Sequence, residues 1–266
     1  MIRHAVLTAG FWLMGAQAAT VGETDRFIPL IQDGGGWSTQ VTIANLSGKP
    51  AAVIAAFVTP KGYNDPWRLD LKAPQGKVTG STVEASLAPG AIMVIETSGT
   101  PAELTRGFAD IAELQDLPIG AFARLVKREN GRIVESMSIP FSPAHESRSV
   151  VPVDLTDPTA SLEMVWVSLT SSTSLALTFR RETGEIAFTG NLESNGDAQF
   201  FAKPVELWPQ LAGFRGTMEW KVTFPRADRY EYRVLSSISV STRGGLGWVA
   251  TPAMTLKADQ LSTSPY

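Results

Sequence analysis

The chain has 266 residues, a formal net charge of −3, 44% hydrophobic and 18% charged residues, and no cysteine. This mildly acidic balance lacks the basic footprint of a nucleic-acid-binding protein, and no polybasic run indicates binding to a membrane surface. The absence of cysteine excludes thiol catalysis, cysteine-ligated zinc and iron–sulfur clusters. Packing and strand pairing must therefore hold the folded chain together, which suits domains of about 100 residues or more.

Residues 1–18 have the pattern of a cleavable secretory signal peptide. Arg3 provides a positive charge, an uncharged apolar run follows, and Ala16 and Ala18 occupy the small positions before the cleavage point. The alternative is a membrane-spanning helix, which needs about 20 apolar residues, whereas Gln17 interrupts this run earlier. We therefore predict an exported protein, periplasmic or extracellular and without a membrane span, whose mature chain begins directly after the signal peptide, at residue 19 or 20.

From Arg26 onward, short β-branched and aromatic runs alternate with Gly, Pro, Asn and Ser. In chain order, these runs predict strands over residues 38–44, 51–58, 92–97, 120–127 and 133–139. Only residues 101–117 and 204–211 favour a short helix. This spacing of strands and turns predicts an all-β fold of the sandwich type.

Two glycine-containing segments predict particular turns. Asn130-Gly131 lies between two predicted strands and predicts a type I′ hairpin. Glycines 34–36 follow Asp33 and resemble a phosphate-binding loop, but no Lys follows in the P-loop position and a strand rather than a helix comes next. We interpret these glycines as a turn with positive φ angles.

An internal repeat divides the chain. The segment starting at Phe27 aligns with the segment starting at Val150, which places Ile43 on Trp166. Farther along, the alignment places residues 120–124 on residues 216–220.

The repeat predicts two domains of unequal length. The first domain is longer because of two insertions, which we expect to be surface loops between strands. The predicted division of the chain is a signal peptide over residues 1–18, a first β-sandwich over 26–149 with inserted loops over 63–83 and 101–116, a second β-sandwich over 150–254, and a flexible tail over 255–266.

The repeated residues resemble a tandem immunoglobulin-like β-sandwich module of secreted bacterial proteins. The segments that carry this resemblance are residues 27–30, 33–39, 43–46, 87–90 and 96–99 in the first half, and 200–201, 211–216 and 249–252 in the second. The resemblance implies two tandem immunoglobulin-like β-sandwich domains after the signal peptide. It implies no activity and no catalytic residue.

Few residues suit catalysis. His4 lies in the predicted signal peptide, so His145 is the one histidine expected in the mature chain, and no Gly-x-Ser-x-Gly motif accompanies it. Carboxylates remain as candidates for paired acid–base catalysis, which requires two of them about 5–10 Å apart in a cleft. The local clusters are Asp110, Glu113 and Asp116 in the first half, and Asp154, Asp157, Glu182 and Glu185 in the second.

Asp110, Glu113 and Asp116 are also a weak calcium candidate, since Ca²⁺ takes about six to eight oxygen ligands. Their spacing gives one acidic face on a short helix or a partial cage on a loop. The alternative is a solvated acidic surface. No cofactor is predicted.

The 63–83 insertion contains the best candidate for ligand binding. Tyr63, Trp67 and Arg68 combine aromatic and polar side chains in a segment without a core pattern, a composition typical of contacts with a glycan or a protein. The alternative is a loop that folds back over a sheet edge. We expect a non-catalytic binding or structural protein at the cell surface or in the periplasm, and the second hypothesis is a secreted carbohydrate-active hydrolase that uses paired carboxylates.

Overall fold

The computed structural model describes residues 26–143, 148–159, 161–168, 173–223, 235–242, 248–252 and 254–255. Over these residues the protein is all-β and contains four antiparallel sheets, which confirms the prediction of an all-β fold. In the same residues, no helix is both long enough and apolar enough to cross a membrane. The predicted signal peptide, His145 and residues 256–266 of the predicted tail lie outside the described residues.

The first half of the chain forms sheets A and B, which together make the first unit. Sheet A has the strand order β11-β1-β8-β3-β6, and sheet B has the order β10-β9-β2-β7-β4-β5. A buried apolar cluster fills the space between the two sheets. The strands are β1 (Arg26–Asp33), β2 (Trp37–Asn45), β3 (Ala51–Val58), β4 (Leu69–Ala73), β5 (Gly76–Gly80), β6 (Thr82–Leu87), β7 (Ile92–Thr97), β8 (Thr105–Glu113), β9 (Ile119–Glu129), β10 (Arg132–Pro140) and β11 (Ser142–Pro143).

The second half forms sheets C and D, which together make the second unit. Sheet C has the order β15-β14-β17-β12-β20, and sheet D has the order β16-β13-β18-β19. A second apolar cluster, with Trp166 and Trp220 at its centre, lies between them. The elements are β12 (Arg148–Asp154), β13 (Ser161–Ser168), β14 (Ser174–Arg181), β15 (Ile186–Glu193), β16 (Gln199–Ala202), helix α1 (Pro204–Leu207), a 3₁₀ helix (Pro209–Leu211), β17 (Arg215–Thr223), β18 (Leu235–Thr242), β19 (Trp248–Pro252) and β20 (Met254–Thr255).

The two units have the same strand order apart from the β4–β5 hairpin. Taken from β20, sheet C repeats the order of sheet A taken from β11, and sheet D taken from β19 repeats sheet B taken from β10. Strand β13 therefore takes the place of β2, and β17 takes the place of β8. The sequence alignment of residues 120–124 with residues 216–220 is wrong, because the first segment lies in β9 and the second in β17.

That error has its origin in the segments interpreted as inserted loops. Residues 63–83 contain β4, β5 and the start of β6, and residues 101–116 contain β8, an interior strand of sheet A. The helix predicted over 101–117 is also wrong. Residues 107–111 of β8 are buried on both faces of the sheet, so the alternation that marks a half-buried strand is missing there.

Other local predictions are confirmed. Strands β3 and β7 have the predicted bounds, and a short helix followed by a 3₁₀ turn occupies the segment 204–211. Asn130 and Gly131 have φ angles of 51° and 77°, the positive values that a type I′ turn requires. Glycines 34–36 also have the predicted positive φ angles.

Candidate functional site

The two units contact each other where sheet A packs against sheet D, a contact called the seam below. Its apolar part joins Phe27, Val58 and Phe108 of sheet A to Val167 and Ala198 of the second unit, and each of these side chains is at most 8% exposed. Full burial of a large apolar side chain contributes about 1.5–3 kcal/mol. The seam is therefore packed like a protein interior, and strand β10 at the edge of sheet B also lies next to β19 of sheet D.

Gln199 provides a buried polar contact in the seam. Its side-chain amide Nε2 donates hydrogen bonds to the carbonyl oxygens of Pro29 at 2.7 Å and Gly107 at 2.8 Å. The pairing of β1 with β8 changes register between Ile28 and Ile31, so Pro29 lies at an irregularity of the ladder. A buried carbonyl without a donor is costly, so these two hydrogen bonds stabilise the contact between the units.

An ion pair with one buried partner lies in the same contact. The guanidinium Nη1 of Arg106 on β8 lies 2.9 Å from the carboxylate of Glu163 on β13, whose side chain is 7% exposed. The guanidinium also lies 5.2 Å from the ring centroid of Phe201. Loss of the Arg106 charge would leave the buried Glu163 carboxylate without its partner, a destabilising change.

The turn after β3 completes the edge of the seam. The carbonyl oxygen of Pro60 accepts hydrogen bonds from the backbone amides of Ala198 and Gln199 at 2.7 and 2.9 Å. The ring of Tyr63 contacts Phe108 edge-on at 6.2 Å, and its hydroxyl donates to the carboxylate of Asp110. Tyr63 is 41% exposed, so it covers the end of the seam and keeps one side in solvent.

The other two predicted binding residues point in different directions. Trp67 is 8% exposed and belongs to the core of the first unit, whereas Arg68 is exposed. A β-carbon on Gly107 would lie 2.5 Å from the Trp67 ring, so the indole packs directly over that glycine. The expectation of an exposed Trp67 is therefore wrong, and the structure favours the alternative of a segment that folds back over the sheet.

The three acidic residues of the calcium candidate do not converge. Asp110 and Glu113 lie three positions apart on a strand, which directs their side chains to opposite faces of sheet A. Glu113 accepts hydrogen bonds from the backbone amides of Gln115 and Leu117 at 2.9 and 2.6 Å. Across the described residues, no group of three or more His, Cys, Asp or Glu side chains is placed to hold a metal ion.

The acidic residues of the second unit lie at turns and at the surface. The Oδ1 atoms of Asp154 and Asp157 accept hydrogen bonds from residues two positions later, as in Asx turns. Glu182 lies 2.8 Å from Arg215, with both side chains more than half exposed, and Glu185 is exposed.

The sequence contained one signal for the seam that its interpretation missed. Glu163 is a single charged residue inside the apolar run LEMVWVS of β13. Such a residue in a strand buried on both faces requires a partner charge. No sequence pattern identified Arg106 as the partner of Glu163, and none identified Gln199 as a residue of the seam.

Comparisons with known proteins provide no family assignment. No family model matches the chain, and no curated protein matches it. Among solved structures, two of a glycosyl hydrolase family 2 member from Bacteroides cellulosilyticus are matched at 7% identity, each with a TM-score of 0.18. The alignments cover 76% and 85% of this chain but 26% and 28% of those chains. Likeness at this level carries no argument about function.

Proposed function

We propose that the chain is an exported, non-catalytic β-sandwich protein that acts as a binding or structural module in the periplasm or at the cell surface. In this proposal residues 1–18 are a cleaved signal peptide, and two tandem immunoglobulin-like domains of the resembled module follow. The observation that carries the proposal is the seam, which joins the two units through buried apolar, polar and charged contacts. A stiff body with two separate outer sheet faces is suited to a scaffold or a recognition module.

The use of carboxylates in the first unit and the seam supports a non-catalytic role. Asp110 accepts a hydrogen bond from Tyr63, Glu113 accepts two from backbone amides, and Glu163 pairs with Arg106. A general acid or base must reach the proton of a bound substrate. These three acids are each at most 7% exposed and contribute to the fold instead.

The shared strand order supports the proposal of two tandem domains. Sheets A and B are matched by sheets C and D strand for strand, except for the β4–β5 hairpin. A hairpin added at a sheet edge is the kind of change that one copy of a duplicated unit tolerates, because an edge strand disturbs no existing pair. The proposed first domain then includes β1 to β11, and the second begins at β12.

Ligand binding is tested with the side chains that remain accessible. We expect the purified chain to retain a glycan or protein on binding arrays without converting it, and Arg68→Ala to weaken that binding at least tenfold. Arg132→Ala, which changes another exposed arginine far from Tyr63 in sequence, serves as the control. Hydrolysis of a glycoside that disappears in Glu182→Gln or Glu185→Gln would overturn the non-catalytic proposal in favour of the hydrolase.

Export is tested separately. Expression of the full chain in a bacterial host, followed by fractionation and amino-terminal sequencing, should yield a protein outside the cytoplasm whose first residue is Ala19 or Thr20. An intact Met1 on the folded protein would contradict the signal peptide.

A further inference from the structure

The outer face of sheet B, the side turned away from sheet A, has an exposed apolar end. Leu46, Ile92 and Phe122 are 66%, 63% and 45% exposed. The strand register brings them together, since Ala44 pairs with both Ile92 and Gly120, and the Leu46 side chain lies over Gly120. Exposed apolar side chains that are adjacent rather than scattered mark an interaction surface.

Phe122 and the polar groups lie in the next two rows of this face. Thr42 pairs with Phe122 on one side and Val94 on the other, and in the row beyond it Gln40 pairs with Arg124 and Glu96. The face is therefore apolar at one end and charged at the other, with a positive charge on β9 and a negative charge on β7.

The corresponding face of the second unit is buried. Strand β13 takes the place of β2, and alignment of Ile43 with Trp166 places Thr42 on Val165 and Ala44 on Val167. Val165 and Val167 are both fully buried in clusters that include sheet A residues.

The cross-strand neighbours behave in the same way. Val165 pairs with Phe201 and Val167 pairs with Gln199, which correspond to Val94 and Ile92 on sheet B. Phe201 and Gln199 are seam residues, so the same positions that form an interface in the second unit are open in the first.

The outer face of sheet C is a poor match for this surface. Its row of Thr178 and Glu219 and its row of Ala176 and Lys221 are polar or charged at the centre of the sheet, and Glu219 also pairs with Arg148. A head-to-tail stack of copies would place these charges against Phe122 and bury them without new partners, which is unfavourable.

The same face of a second copy matches it well. Strands β9 and β7 lie on either side of β2. A two-fold axis along β2 therefore places β9 of each copy opposite β7 of the other. Phe122 then lies over the partner's Val94, Leu46 over the partner's Ile92, and Arg124 over the partner's Glu96. Arg124 has no ion pair among the described residues, while Glu96 has only a 3.5 Å contact with the exposed Lys72 as its ion pair.

We propose that a second copy of this chain docks on the outer face of sheet B, related by a two-fold axis along β2. With the axis along β2, the five strands β10, β9, β2, β7 and β4 face the partner; at about 3.3 Å per residue and about 4.8 Å between strands they cover about 630 Å², at the lower end of the range of about 600–1,000 Å² per partner of a standard interface. With the axis along β2, the central strands of the two sheets run nearly parallel, within the range of about 30° found in aligned sheet packing. The proposal goes beyond the proposed function, and its test does not depend on a ligand.

The first test measures assembly of the full chain by sedimentation velocity over a range of concentrations. We expect a dimer, a dissociation constant raised at least tenfold by Phe122→Ser, and no change for Ile186→Ser, which alters an isoleucine on sheet C that is 50% exposed. A monomer at all concentrations would overturn the proposal, as would equal effects of the two substitutions. Species that grow beyond a dimer would indicate head-to-tail stacking and would also overturn it.

A charge exchange tests the two-fold arrangement itself. Arg124→Glu and Glu96→Lys each place like charges opposite one another across the interface, and we expect each to weaken the dimer at least tenfold. The double variant restores opposite charges and should recover most of the affinity. Failure of the double variant to recover it would contradict the axis along β2. Far-ultraviolet circular dichroism spectra that match the unsubstituted protein establish that these exposed substitutions leave the fold intact.

Discussion

The first unit has two outer sheet faces: the second unit covers the face of sheet A, whereas the face of sheet B is exposed. The outer face of sheet A meets the second unit, where Phe27 and Phe108 are fully buried, whereas on sheet B Phe122 is 45% exposed. The covered face also has specific polar contacts, with Gln199 donating to two carbonyl oxygens and Arg106 paired with Glu163. Both faces have apolar side chains, so these alone do not distinguish the covered face from the exposed one. The covered face differs in having buried polar groups that are hydrogen-bonded or ion-paired across the seam.

Replacement of one phenylalanine on each face should give the largest contrast. Phe108→Ala removes a buried ring that contacts Phe27 and Tyr63, and we expect a loss of about 3–5 kcal/mol in the free energy of unfolding. Phe122→Ala should change the same quantity by no more than about 0.5 kcal/mol when measured on the monomer. Urea denaturation at low protein concentration provides both values, and similar losses for the two variants would contradict the contrast.

A second substitution disturbs the packing of sheet A, the sheet whose outer face is covered. A β-carbon on Gly107 would lie 2.2 Å from the carbonyl oxygen of Val58 and 2.5 Å from the Trp67 ring. We expect Gly107→Val to cost about 3 kcal/mol, because a packed interior accommodates added volume poorly. Gly48→Val is the control, since a β-carbon there meets nothing within 4 Å, and thermal melting should show a much smaller shift for it.

Replacement of one glutamine on each face compares the contribution of their polar contacts to stability. Gln199→Leu keeps the size of the side chain but removes the donor to Pro29 and Gly107, and we expect a loss of about 2 kcal/mol from carbonyls left without it. Gln40→Leu on sheet B removes a 2.6 Å hydrogen bond to Glu96, which is only part-buried, and should cost less than about 1 kcal/mol. Chemical denaturation of the pair tests the order, and a larger loss for Gln40→Leu would reverse it.

The smallest effect is expected at the end of the β9–β10 hairpin. Hydrogen bonds with Glu135 and then Glu129 raise the pKa of Lys127 above its ordinary value of 10.5. A pKa raised by folding stabilises the protein fully below the unfolded value and loses that contribution as the pH rises through the folded value. Partly exposed pairs contribute about 0.2–1 kcal/mol, so the stability advantage over Lys127→Met should be small at pH 9 and decline above pH 10.5. An advantage that grows with pH would contradict this assignment.

The sequence predicted several strands that have one buried face, although it placed β4, which also alternates, in an inserted loop. β2 alternates buried and half-buried residues along its whole length, and β3 and β7 have turn residues at both ends. It missed β8 because Phe108, Ala109, Asp110 and Ile111 are all buried, some by the first core and some by the second unit. No local pattern reports a neighbour that arrives from about 60–90 residues away, and a two-sided strand depends on one.

The candidate site was less predictable for the same reason. Trp67 was expected at the surface because its own segment lacks a core pattern, yet its burial depends on the absence of a side chain at Gly107 on another strand. Tyr63 and Arg68 do lie where a partner would reach them. Residues three positions apart share a face on a helix but lie on opposite faces of a strand. The spacing of Asp110 and Glu113 therefore does not bring their carboxylates together on β8.

Because β13 is buried on both faces, its folding depends on both units. Val165 packs into the core of the first unit while Trp166 packs into the core of the second, so consecutive side chains of one strand serve both. During synthesis the amino-terminal unit emerges first and provides the surface on which β13 is completed. We therefore expect heating to produce a single cooperative transition, since neither unit can lose its packing without stripping one side of the strand they share.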